Sequence, residues 1–253
     1  MATTLEPSDF IERLPLAYLT ETSPEEVIAH LLQWRVLADG DVATLTSYQA
    51  KTNTVVYTIL AHEKLTSGIF HKICGALAAH HLAVLSARIH TMADGTVIDR
   101  FEVNDTHHTG PPTPERCKLV SKTLRRVLMG ELEVADVLWS SRPSIFAPKR
   151  ADLGRDETAV IIDNTSSSTS SVIEVFSIDK HRLLFHLAQR IFRLGLSVNY
   201  AKITTYARQV VDVFYVQREN GEKILDEEMI RTVRDQLLQE IRQLAKEHNG
   251  PPG

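Results

Sequence analysis

VVYTILAHEKLTSGIFHKICGALAAHHLAVLSARIHTMADGTVIDRFEV, residues 55–103, decides the fold. Its pattern predicts strand, loop, helix, strand, turn, strand. The same order returns in residues 172–216, VIEVFSIDKHRLLFHLAQRIFRLGLSVNYAKITTYARQVVDVFYV. An offset of 114, from Ile89 to Ile203, also matches Val84 with Val198, Ala87 with Ala201 and Thr91 with Thr205. One residue is lost at the turn. Asp99, Phe101 and Val103 then meet Asp212, Phe214 and Val216. Matching residue types on both sides of a hairpin mark an internal repeat, and a repeat constrains architecture before anything else does. Two copies predict two similar small domains.

Within the first copy, Ile69, Phe70, Ile73 and Leu77 share one helical face. Leu85, Ala87 and Ile89 alternate as one side of a strand does. Ala93, Asp94 and Gly95 suit a hairpin turn. After the third strand, Thr113 and Pro114 open a second helix, with Leu119, Val120, Leu124, Val127 and Leu128 on one side. In the second copy the closing helix starts near Asp226 and aligns Ile230, Val233, Leu237, Ile241 and Leu244. Each copy then reads β-α-β-β-α plus a closing strand, the ferredoxin-like order of an α+β fold. The strand at residues 210–216 is apolar on both faces. It should be covered twice, by the first copy, the N-terminal segment or another subunit.

The flanking segments set the expected boundaries. Residues 1–50 form a helical connector, residues 51–130 the first domain, residues 131–170 a linker with an extra strand, and residues 171–250 the second domain. In the connector, Ser23-Pro24-Glu25-Glu26 predicts a capped helix start. Val27, Ile28, Leu31 and Leu32 follow as an apolar face, and Ile28, Leu31 or Leu32 should pack on another element. In the linker, Thr158-Ala159-Val160-Ile161-Ile162-Asp163 is strand-like, and the polar tract at residues 164–171 is a loop.

Composition narrows the function classes. The chain has 253 residues, 43% of them hydrophobic, and a formal net charge of −4. That balance offers no general attraction to nucleic acid. The sheet strands also lack the aromatic and glycine pattern of RNA-binding sheets. No apolar run reaches membrane length, and the N-terminus has no signal pattern, so the expectation is a soluble cytoplasmic protein. Cys74 and Cys117 are the only cysteines, and Cys74 reads as a buried thiol beside Ile73 and Leu77. No phosphate-binding glycine loop, dinucleotide fingerprint or nucleophile elbow is present. The close pairs His80-His81 and His107-His108 lack partners at ligand spacing. No catalytic residue, metal or cofactor is assigned. Asp99 and Asp212, each in mid-strand between apolar residues, suggest a repeated structural role.

One loop stands out as a binding site. Glu63, Thr66, Ser67, Gly68, Ile69 and Phe70 lead into the first helix of the first copy. Gly68 sits where backbone N–H groups at a helix start are free to hold a small carboxylate. The plainer alternative is a glycine needed only for the turn.

These residues resemble the ACT domain, a module that senses small ligands and often binds amino acids. The repeats, the Ile162-Asp163-Asn164 lead-in and the connector RLPLAYLTETSPEEVI (residues 13–28) are similar to the tandem ACT region at the C-terminus of bifunctional PII uridylyltransferase/uridylyl-removing enzymes. The resemblance implies an amino-acid ligand, glutamine. It also implies pairing of ACT units within the chain or in a dimer, and action on the PII protein through catalytic domains. The motifs of those catalytic domains are absent from this chain. Two departures concern the loops. Ser67 stands where the family has proline, with Gly68 retained. In the second copy, Asp179-Lys180-His181-Arg182 puts histidine and arginine at the Pro-Gly positions. Asp179 and Arg182 complete the candidate set. Arg182 could occlude a pocket, hold a ligand carboxylate or point to solvent. A ligand-free interaction module remains the rival reading.

Overall fold

Among the described residues eight strands share one sheet, in the order Ala43–Gln49, Thr54–His62, Thr96–Asp105, Leu82–Thr91, Leu196–Tyr206, Gln209–Arg218, Ser171–Ile178, Ala159–Asp163. The computed structural model describes residues 14–37, 40–92, 95–140, 158–178, 182–206 and 209–249. The first unit comprises β1 (Ala43–Gln49), β2 (Thr54–His62), α3 (Ile69–Ala79), β3 (Leu82–Thr91), β4 (Thr96–Asp105) and α4 (Pro114–Leu128). The second comprises β5 (Ala159–Asp163), β6 (Ser171–Ile178), α6 (Leu183–Arg193), β7 (Leu196–Tyr206), β8 (Gln209–Arg218) and α7 (Glu227–Asn249). Helices α1 (Leu16–Glu21) and α2 (Pro24–Val36) precede them, and α5 (Val134–Ser140) lies between them.

The α+β, ferredoxin-like reading holds, with one difference in strand position. The fourth strand of each unit precedes the repeat and does not close it. β1 and β5 pair antiparallel with β2 and β6 and take the two sheet edges. β1 therefore lies inside the range expected to be connector. The hairpin residues Ala93 and Asp94 lie outside the described residues.

The units meet through β3 and β7. Ala87 faces Ala201, with Ser86–Lys202 and Arg88–Tyr200 on either side. Ala87 and Ala201 are also repeat equivalents, so a local two-fold axis passes between them. Both strands carry a register shift at matched places, between Val84 and Ser86 and between Val198 and Tyr200. A bulge bends a strand and re-aims its extra residue, here Leu85 in one unit and Asn199 in the other.

On one face the helices bury a continuous core. Phe101, Leu77, Leu124, Phe214, Val233 and Leu237 are all fully enclosed. Gly75 marks a close approach of helices. A Cβ there would lie 2.4 Å from Val134 Cγ2 and 2.9 Å from Phe185 Cδ2, so α3 accepts α5 and α6 only without a side chain. Cys74 is buried as expected, and burial pushes its thiol pKa up.

On the opposite face, α1 and α2 seat on the first unit. The capping box forms, with Glu26 N donating to Ser23 Oγ at 3.3 Å and Ser23 N to Glu26 Oε2 at 3.4 Å. Leu14, Tyr18, Val27 and Leu31 pack on Leu60, Met92 and Ile98. Leu31 is the expected anchor that packs, whereas Ile28 and Leu32 are more than half exposed. Arg100 donates to Thr22 Oγ1 at 2.8 Å and reaches Glu26 at 3.3 Å. Tyr18 Oη and His30 Nδ1 are 2.5 Å apart. A short helix in water is marginal without such packing. Leu31→Asp, which puts a carboxylate into this layer, is expected to lower stability by about 3 kcal/mol or more. Chemical unfolding checks it, and an unchanged midpoint would make the connector a free tether.

The equivalent face of the second unit is less covered. Val211, Val213 and Tyr215 remain partly exposed. The double cover expected for β8 is thus complete on the helical side only. Near the axis, Arg88 lies over the Tyr200 ring at 4.9 Å, and Tyr200 contacts Tyr215.

Candidate functional site

Strand β2 ends in a 3₁₀ turn, Glu63–Leu65, whose start is held by Lys64 N donating to His62 Nδ1 at 3.2 Å. The chain then reaches Gly68, which has φ 70° and ψ 40° and caps α3 without a side-chain bond. Thr66 Oγ1 accepts from Lys72 Nζ, which ties the loop to the helix. A helix start without a capping side chain presents N–H groups and the positive end of its dipole.

The start of α3 opens on a cavity of about 240 Å³, roughly the space of eight water molecules. The first unit lines it with the loop, Ile89, Thr91, Val97 and Asp99. The second unit supplies Ala188, Phe192, Leu196, Ser197, Val198 and Asn199. The β3–β7 pairing brings these residues beside a loop more than a hundred positions away. A hollow on α7, lined by Gln239, Arg242, Gln243 and Lys246, is bounded by one helix only.

Two side chains in the wall are electrostatically unusual. Asp99 is 1% exposed, and its Oδ1 has no hydrogen-bond partner among the described residues. Burial pushes its pKa up to about 8, against the bond from the backbone N–H of His90. His71 is also buried, with Nδ1 unpartnered among the described residues. Burial lowers its pKa to about 4, helped by Lys72 and Arg193. Its ring lies against Phe192, with centroids 5.1 Å apart, and near Phe185.

Of the residues singled out from sequence, Glu63, Thr66, Ser67, Gly68, Ile69 and Phe70 all line this cavity. Asp179 lies outside the described residues. Arg182 is not in the cavity wall. It caps α6 with φ 71° and ψ 8°, the same left-handed backbone as Gly68. Its Nη2 donates to the backbone oxygen of Leu138, in the last turn of α5. Its side chain thus reaches α5 and not the wall of the cavity at α3, nor does it run free into solvent. His71, Asp99, Phe192 and Asn199 were missed as candidates. The repeat of Asp99 at Asp212 was the one sequence signal that marked any of them.

Residues 159–246 match the family model of an ACR9-like, ACT-like domain. This is an ACT-domain chain. The first ACT unit is the repeat partner of the matched one across the Ala87–Ala201 axis. The chain is 34% identical over 223 residues to a bifunctional uridylyltransferase/uridylyl-removing enzyme of Novosphingobium aromaticivorans, covering 85% of this chain and 23% of that protein. It is 32% identical to the enzyme of the same name from Rhodospirillum rubrum, over 70% of this chain and 19% of that protein. For that of Azospirillum brasilense the figures are 34%, 68% and 18%. The ACT chain thus spans about a fifth of the length of these relatives, and it matches their C-terminal region. Among the described residues, no catalytic domain is evident, no helix is long and apolar enough to cross a membrane, and no cluster of three metal-ligating side chains occurs.

Proposed function

We propose that this ACT chain is the glutamine-sensing regulatory region of a PII uridylyltransferase/uridylyl-removing enzyme. The observation that carries the reading is the cavity at the start of α3. Left-handed Gly68 and the first turn of α3 line a space of amino-acid size, and the second ACT unit lines its other side. A ligand held there touches both units at once, so binding strengthens their association. In the whole enzyme this would set the balance between adding and removing uridylyl groups on PII, through catalytic domains that this chain does not contain.

Calorimetry of the purified chain with each of the common amino acids tests the reading. L-Glutamine is expected to bind, and at a hundred times its Kd to add about 2.7 kcal/mol of stability. No heat and no thermal shift with any amino acid would overturn it. A second reading, an interaction module without ligand, is favoured by the exposed stripe Ile28, Leu32 and Val36 on α2. Self-association in sedimentation, without amino-acid binding, would support that reading instead.

A further inference from the structure

The wall of the cavity presents two polar features of different kind, a helix start and a buried carboxyl group. At the first, α3 begins at Gly68 with no capping side chain. Its free N–H groups suit a carboxylate. Elsewhere in the wall is Asp99, from β4, deeply buried and with Oδ1 unpartnered among the described residues. Buried polar atoms in native proteins are almost always bonded, so an orphaned carboxylate oxygen in a cavity wall requires an explanation. Leaving such an atom unpaired costs stability, and a bound donor removes that cost.

The register shows that this is not a packing accident. Asp99 faces Ile59 on β2 and Ile89 on β3, so it stands between two apolar neighbours. An aliphatic side chain would pack there without penalty. His71 Nδ1, also buried and unpartnered among the described residues, borders the same space. It lies beside Gly68, at the helix start, and so belongs to the other part of the wall from Asp99 in this scheme. A metal ion fits less well, since no group of three ligating side chains forms among the described residues.

We propose that Asp99 binds the α-ammonium group of the ligand while the start of α3 holds its carboxylate, so that the cavity selects α-amino acids by their zwitterion. The proposal rests on the reading of the cavity as an amino-acid site. It also gives Asp99 a role that Asp212 does not share, because Asp212 is absent from the cavity wall.

The test uses the 253-residue chain, L-glutamine and glutaramic acid, the analogue that lacks only the α-amino group. The wild type should prefer glutamine by about tenfold or more, the usual worth of a charge-assisted hydrogen bond. Asp99→Asn should reduce that preference to about threefold or less, mainly by weakening glutamine. Asp212→Asn should keep the full preference. Asp99→Ser, smaller and also uncharged, serves if the asparagine variant does not fold. A folded Asp99 variant that keeps the wild-type preference overturns the proposal while leaving the amino-acid reading intact. Equal binding of both compounds by the wild type does the same. A wild type that binds no amino acid overturns both.

Discussion

Gly68→Arg is expected to abolish the proposed amino-acid binding, and Arg182→Gly to retain it. At Gly68 the backbone is left-handed, which costs a non-glycine residue about 1–2 kcal/mol. Sterics add to that cost. A Cβ on Gly68 would sit 2.2 Å from His71 Cε1 and 3.2 Å from Phe192 Cδ1. His71 has little room to yield, because its ring is buried against Phe192 and near Phe185. An arginine stem must then enter the cavity or displace the loop, and either closes the start of α3 to a ligand. At Arg182 the conditions are reversed. Glycine relieves the left-handed strain, and the side chain it removes is bonded to Leu138 O, outside the cavity wall. Thermal shift with L-glutamine checks the pair. The ligand-induced gain of about 2.7 kcal/mol at a hundred times Kd should vanish in the first variant and persist in the second. Binding by Gly68→Arg together with its loss in Arg182→Gly would put the working site in the second unit.

Stability should peak near pH 6.5. Burial lowers the pKa of His30, His71, His80 and His90 from 6.5 to about 4 in each case. Nearby cations add to the effect: Arg100 at His30, Lys72 and Arg193 at His71, Arg116 at His80, and Arg88 and Arg100 at His90. Between pH 6.5 and 4 the unfolded chain takes up protons at these rings and the folded chain does not. Stability therefore falls as pH falls through that window. Asp99 acts with the opposite sign. Its pKa is raised from 3.8 to about 8, so over that range the folded state retains a proton that the unfolded state has lost. Stability from Asp99 falls as pH rises. These histidines, with His81 lowered in the same sense by burial, outweigh one aspartate below pH 6.5, and among the described residues Asp99 sets the slope from there to pH 8. Asp41 and Asp163, whose carboxyls are held below the usual range by hydrogen bonds, act only below pH 3.8. Each net proton contributes a slope of up to about 1.4 kcal/mol per pH unit. Urea midpoints from pH 4.5 to 8 should trace a steep rise, a maximum and a shallow fall. A flat profile between pH 4.5 and 6.5 would contradict the buried, neutral state of these rings.

Much of the architecture was legible because the repeat carries its own register. The matches of Ala87 with Ala201 and of Asp99 with Asp212 follow from one offset and one lost residue, whereas the matched bulges came only from the strand register. β1 was not legible. Its sequence, ATLTSYQ, has few apolar residues, and after Ala43 every position is half-buried, so no clear period marks it as a strand. The loop half of the site could be read because a glycine before a helix has a local meaning. The other half could not. Phe192 and Asn199 reach the cavity through strand pairing across the axis, and no spacing along the chain encodes that. Arg182 was ambiguous for the same reason. Its partner lies 44 residues away, on a helix that periodicity did not link to it.

The β3–β4 hairpin serves two neighbours at once. Ile89, Thr91, Val97 and Asp99 look into the cavity, whereas His90, Met92, Ile98 and Arg100 meet Tyr18, Leu31, Thr22 and Glu26. One thickness of backbone separates the cavity from the seat of the connector. Thermodynamics makes any communication across it two-way. By whatever factor a ligand tightens or loosens the connector on its seat, the seated connector changes ligand affinity by the same factor. Where the proposed ligand and the connector are coupled, trimming or loosening the connector also retunes the concentration at which the cavity fills.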